Sequence, residues 1–128
     1  MPAPTLRVQD PVPRHAPGAV EIGFTVPDRY NASEILFRNL AAGHRHKVAV
    51  VCGDQRVTYG ELCDLANRVG HQLQRHGLAR GGRVVCLLAD TPVYPAVIFG
   101  AIRAGFVPVL VNTQSTPDLA AYYLADSG

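Results

Sequence analysis

The chain has 128 residues, one domain or part of one, and 48% of them are apolar, so a core can form and global disorder is excluded. The formal net charge is only +2, and the 12 basic residues, 11 arginines and the single Lys47, are scattered from Arg7 to Arg103 without the stripe that nucleic-acid binding needs. The three cysteines, Cys52, Cys63 and Cys86, include no CxxC pair, which argues against a disulfide framework or zinc site and for small core residues in a reducing cytosol.

Residues 1–28 are rich in Pro, Arg and Val without a period and read as an extended, poorly ordered leader; they carry no apolar stretch of the signal-peptide kind. "YNASEI" opens the first helix. Asn31 is its expected cap, Glu34 completes a capping box, and Tyr30 and Ile35 take the staple positions. The helix passes through Leu36, Phe37 and Leu40 and stops near Gly43. "KVAVVCGDQRVTY", with Gly53-Asp54 between two alternating runs, predicts a β-hairpin. Thr58 then caps the next helix with Glu61 at the box position, and Tyr59, Leu62, Ala66, Val69 and Leu73 mark its apolar face. Gly77 stops it.

"RVVCLL", residues 83–88, has no polar alternation and suits a strand covered on both faces. In "ADTP", Asp90 or Thr91 is the expected cap and Pro92 the first helical residue. The helix from Pro92 to Ala104 is apolar almost all round, so it should be buried. Gly105 ends it, and Val107 to Val111 forms the next strand. Thr116-Pro117-Asp118 starts a last helix through Leu119, Tyr122, Tyr123 and Leu124. Strand, helix, strand and helix with short loops imply a right-handed crossover and two parallel strands, and a further strand is expected beyond the last helix. Val93 to Val111, 19 residues with Arg103 as the one charge, approaches the length of a membrane span. Pro95, Pro108, Gly100 and Gly105 favour helix, stop and strand instead.

In an open parallel sheet, ligands bind beyond the carboxyl ends of the strands, here Asp90-Thr91 and Asn112-Thr113. Asn112 and Thr113 are the candidate cofactor-binding residues, although Asn112 can equally close a turn and Asp90 can be a helix cap. Elsewhere the polar motifs have plainer explanations. "GLARGG", 77–82, follows a helix rather than a strand and lacks the Gly-Lys-Ser/Thr ending of a phosphate loop. "HRH", 44–46, has no third ligand at suitable spacing. His71 and His76 lie off the apolar stripe. Ser33, Ser115 and Ser127 have no nucleophile-elbow context. The residues define no catalytic set and no metal site.

The order and spacing of "YNASEILFRNL", "VTYGEL", "GLARGGRVVCLL", "DTPVYP", "FGAIRAGFVPVLVNTQSTPD" and "YYLADSG" resemble the amino-terminal part of the adenylate-forming, AMP-binding acyl-CoA synthetase superfamily, over about residues 29–128. "YNASEILFRNL", "DTPVYP" and "VLVNTQSTPD" look most like benzoate-CoA and related aryl-CoA ligases. The resemblance implies an α/β fold, an incomplete subdomain with a β-hairpin and a βαβα unit with parallel strands. It also implies ATP, Mg²⁺ and coenzyme A as cofactors, an aromatic carboxylate substrate and a cytoplasmic enzyme. In that family the carboxylate attacks the α-phosphate of ATP, and the coenzyme A thiol then displaces AMP from the acyl-adenylate. The family's phosphate loop, ribose-holding acid and catalytic lysine match nothing here. Lys47 stands before the hairpin, and Thr113 and Gln114 stand where some relatives carry a basic residue for the coenzyme A phosphate. The expectation is an amino-terminal fragment, inactive alone, whose partner is the remainder of the AMP-binding domain. The alternative is a stand-alone interaction or regulatory module derived from a ligase.

Overall fold

The computed structural model describes residues 27–128, so the leader expected over 1–28 lies outside the described residues apart from its last two. The elements run α1 (Glu34–Ala41), β1 (Val48–Cys52), β2 (Gln55–Thr58), α2 (Tyr59–Arg75), β3 (Arg83–Cys86), α3 (Val93–Ala104), β4 (Val107–Leu110) and α4 (Pro117–Ser127). β1 and β2 form the antiparallel hairpin, with Gly53 at φ +57° in its two-residue turn and a bulge between Val48 and Val50. β3 and β4 pair in parallel from Arg83 opposite Val107 to Cys86 opposite Leu110. The expected α/β architecture is therefore present. The stretch 93–111 is a 12-residue helix, a glycine stop and a strand, and no helix among the described residues is long and apolar enough to cross a membrane.

α2 and α3 pack along small residues. A Cβ added at Gly70 would lie 3.0 Å from the Gly100 carbonyl oxygen and 3.3 Å from the Ala104 Cβ. One added at Gly100 would overlap the Ala66 carbonyl oxygen. The helices thus approach backbone to backbone. Leu36, Phe37, Leu62, Cys63, Ala66 and Ala96 form the core beside this seam, with Val50, Val57 and Phe99 packed against it. At the end of α3, Gly105 takes φ +89°, and its N–H donates to the Ala101 and Ile102 carbonyls. That left-handed turn sends Phe106, which is buried, into β4.

Several local expectations differ from the structure. The capping box of α2 is formed: Thr58 N–H donates to Glu61 Oε2 at 2.9 Å and Glu61 N–H to Thr58 Oγ1 at 3.3 Å. The one expected for α1 is not. Its cap is Ser33, in helical geometry, with no side-chain capping bond. Asn31 Oδ1 accepts from Ser33 N–H, its Nδ2 donates to the Ile102 carbonyl at 3.1 Å, and Glu34 faces Arg103 at 3.4 Å. The Asn31 acceptor has gone to the neighbouring Ser33 N–H, and Glu34 to a tertiary partner, Arg103. Tyr30 and Ile35 are exposed, so the staple is absent. α3 is capped by Pro92, with neither Asp90 nor Thr91 as a side-chain cap. Nor is α3 buried all round: Ala96, Gly100 and Ala101 form one buried stripe, and Val93 is exposed. β3 is likewise not covered on both faces: only Cys86 is buried, Val84 and Val85 are half-buried and Arg83 is exposed. Leu87, Val107 and Leu110 are each about half exposed, and α4 has no buried residue.

The seam makes Gly100→Ala destabilising by about 1–3 kcal/mol, because overpacking against backbone outweighs the helix-propensity gain of about 1 kcal/mol. Gly70→Ala should cost less, and a higher urea midpoint for Gly100→Ala would contradict the close approach. The backbone N–H of Thr58, followed by its hydroxyl, holds the Glu61 carboxyl below its usual range. The stabilisation from this group is present above the unfolded carboxylate pKa of about 4.3 and is lost as pH falls through the lower folded value. The gap in thermal midpoint between the native chain and Glu61→Gln should therefore be widest near neutrality and close toward pH 3. A gap independent of pH would exclude the charged box.

Candidate functional site

β3 and β4 end side by side, and the segments after them diverge around a cleft of about 310 Å³. Leu88 and Asp90 come from beyond β3; Leu110, Val111, Asn112 and Thr113 come from the end of β4 and beyond. Tyr94, in the first turn of α3, completes the lining. The parallel pairing brings the two loops together, since parallel strands present their carboxyl ends at one edge.

The polar groups of the cleft differ in how far their hydrogen bonds are used. Asn112 Oδ1 accepts from Gln114 N–H at 2.8 Å, and its backbone carbonyl accepts from Ser115 N–H at 3.0 Å. Asn112 thus closes the turn and also lines the cleft, with only its Nδ2 left to offer. Thr113 is exposed beside it. Asp90, which the sequence offers as a helix cap, has no side-chain hydrogen bond among the described residues; only its backbone carbonyl is engaged, by Cys52 Sγ at 3.8 Å. Tyr94 was missed as a lining residue. Its signal was its place four residues after Asp90, at the start of the helix leaving the same strand end.

The other sequence candidates fall elsewhere. In "GLARGG", Gly81 N–H donates to the Gly105 carbonyl at 2.8 Å and the Gly82 carbonyl accepts from Val107 N–H at 2.9 Å. That loop joins the amino ends of β3 and β4, the opposite edge from the cleft. Arg45 pairs with Asp64 at 3.1 Å, and His44 Nδ1 lies 3.5 Å from Asn39 Oδ1. His71 and His76 are exposed. Among the described residues no group of three His, Cys, Asp or Glu side chains is placed to hold a metal ion. No lysine or arginine lines the cleft. The cleft lining therefore does not fit a magnesium–triphosphate group, whose phosphates need cationic partners.

The chain matches the family model described as AMP-binding enzyme over residues 37–128. The 4-hydroxybenzoate–CoA/benzoate–CoA ligase of Rhodopseudomonas palustris (strain ATCC BAA-98 / CGA009) is 43% identical over 99 residues, covering 77% of this chain and 18% of that protein. A crystal structure of an anthranilate CoA ligase in complex with anthranoyl-AMP aligns with a TM-score of 0.75 and 32% identity, over 80% of this chain and 20% of that one. A benzoate CoA ligase from Burkholderia xenovorans LB400 aligns with a TM-score of 0.72 and 34% identity, over 77% and 20%. The chain spans about a fifth of the length of these relatives.

The cysteines separate by burial. Cys63 and Cys86 are 0% and 2% exposed, and burial pushes both thiols above their ordinary pKa, with the neighbouring Asp64 adding to the effect at Cys63. Cys52 is half-buried and is also unbridged. Because the thiolate is the reactive form, an aromatic disulfide reagent at pH 8 should titrate one thiol quickly and the other two at least about tenfold more slowly. Equal rates for all three would contradict the burial.

Proposed function

The chain belongs to the AMP-binding enzyme family, and from that premise we propose that it is the amino-terminal part of an AMP-forming aryl-CoA ligase acting on a benzoate-type acid. The observation that carries this is the 43% identity to a ligase named for benzoate and 4-hydroxybenzoate. Residues 29–128 are the part belonging to the AMP-binding domain. The whole enzyme takes ATP, Mg²⁺, coenzyme A and an aromatic carboxylate, and works in the cytoplasm. The remainder of the AMP-binding domain supplies the phosphate-binding and acid-binding groups. Within this chain, Asn112 and Thr113 lie where a cofactor would be met, at the strand ends. No chemical step is assigned to a residue of the 128.

The half-exposed Val107 and Leu110 on the sheet, and the exposed Leu119, Tyr122 and Leu124 on α4, fit this reading. They are apolar surface that a larger domain would cover. The same surface favours a second reading, a stand-alone interaction module that binds a full-length ligase or a second copy of itself.

The 128-residue chain, given benzoate, ATP, Mg²⁺ and coenzyme A, should release no pyrophosphate, and the longer natural product should form benzoyl-CoA. Pyrophosphate release by the short chain would overturn its inactivity. Failure of the longer product on every benzoate-type acid would overturn the substrate class. With its sheet uncovered, the chain should also unfold without a sharp cooperative transition as a monomer. A concentration-dependent dimer of defined stoichiometry would move the conclusion to the interaction module.

A further inference from the structure

We propose that the exposed basic face of α2, centred on Arg68 and Arg75, docks an acidic helical segment of a partner protein. The inference goes beyond the ligase reading and does not rest on it. It starts from a charge imbalance: residues 65–89 hold four arginines and two histidines and no Asp or Glu. On α2, Arg68, His71, Gln72 and Arg75 are all exposed and line one open depression. These positions fall within about 100° of the helix circumference, and Arg75 stands two turns, about 10 Å, beyond Arg68.

The acids of α2 are engaged elsewhere. Asp64, one turn before Arg68 and so placed to pair with it, pairs with Arg45 at 3.1 Å instead. Glu61 is held in the capping box by Thr58. Arg68 and Arg75 thus have no ion pair among the described residues. A groove of about 140 Å³ between α2 and α3 shares His71 and Gln74 with the depression, and Asn67 and Arg103 add to its lining without a carboxylate. The chemistry then selects the occupant. The charge calls for an anion, and guanidinium forks bind carboxylates two hydrogen bonds at a time. None of the exposed large apolar residues lies on α2, so nothing there inserts into a lipid surface or stacks on a base. The same feature sets this face apart from the apolar β4 and α4 surface that a larger domain would cover. The two-turn spacing of the arginines matches carboxylates at i, i+3, i+4 and i+7 along one side of a facing helix.

The probe is an alanine-based helical peptide with glutamates at i, i+3, i+4 and i+7, titrated into the ¹⁵N-labelled chain. It should shift amide signals within residues 67–76. An isomeric peptide of the same charge, with its glutamates spread around the helix, should bind at least about threefold more weakly. Arg68→Gln combined with Arg75→Gln should weaken the first peptide at least about threefold, whereas Arg56→Gln, which removes a charge from the exposed β2, should change it less than about twofold. Binding should also weaken as salt rises from about 0.05 M to about 0.5 M, because exposed ion pairs are screened. All three side chains replaced are exposed, and the comparison of the two peptides needs no substitution at all. Equal binding of the two peptides would reduce the face to diffuse charge attraction and overturn the proposal. So would the absence of shifts at millimolar peptide, or shifts confined to other elements. An oligonucleotide of equal charge that bound more tightly would make this a nucleic-acid face instead, and self-association abolished by the double variant would make it a contact between copies. None of these measurements involves thioester formation, so their failure leaves the ligase proposal standing, and an inactive longer product leaves this one standing.

Discussion

The close approach of α2 and α3 is the constraint on which the rest of the structure depends. A helix pair joined through Ala66, Gly70, Gly100 and Ala104 has its backbones in contact, and no side chain there can yield to make room. The seam sets where α3 lies and therefore where β3 and β4, which flank α3 in the chain, can pair. The core of Leu36, Phe37, Leu62 and Cys63 closes beside the same seam. Polar contacts tie α1 to α3 as well: Asn31 Nδ2 reaches the Ile102 carbonyl, and the Arg103 guanidinium stands 3.7 Å from the Phe37 ring centroid while facing Glu34. An exposed ion pair is worth about 0–1 kcal/mol and a solvent-accessible cation–π contact about 0.5–1 kcal/mol, so apolar packing outweighs both.

Two edges of the parallel pair have different roles. At the amino ends, the glycine loop from 77 to 82 is stitched to Gly105 and Val107 by backbone bonds, which uses its hydrogen-bonding groups for structure. At the carboxyl ends, the chain diverges around α3 and leaves polar side chains with hydrogen bonds still to make. The glycine-rich stretch is the more conspicuous in the sequence and the quieter in the fold.

The two capping patterns show how far local sequence reaches. Thr58 with Glu61 and Asn31 with Glu34 have the same spacing, and only the first becomes a box. Nothing near Thr58 competes for its groups, so local chemistry prevails. Around Asn31 the side-chain oxygen accepts from Ser33 N–H, the amide nitrogen turns to the Ile102 carbonyl, and Arg103 from the same distant segment draws Glu34 away. The same holds for Asp90. Its sequence context reads as a helix cap, but α3 begins at Val93 with Pro92 in the cap position, which leaves Asp90 lining the cleft. Tyr94 has only its spacing from Asp90 to mark it, because a tyrosine in an apolar run reads as core until the strand ends are placed.

Local patterns alone determined the hairpin with its Gly53 turn, the α2 capping box, the glycine stop at 105, the parallel strand order and the family resemblance. Each depends on residues within a few positions of one another, or on motif order, and both are written along the chain. Tertiary structure alone decided that Gly100 seats against the Ala66 carbonyl, that α3 buries a stripe rather than its whole surface, and that Asp90, Tyr94 and Asn112 line one cleft. Those outcomes depend on which distant groups compete for the same contact, and apolar character in a sequence does not say which face will find a partner.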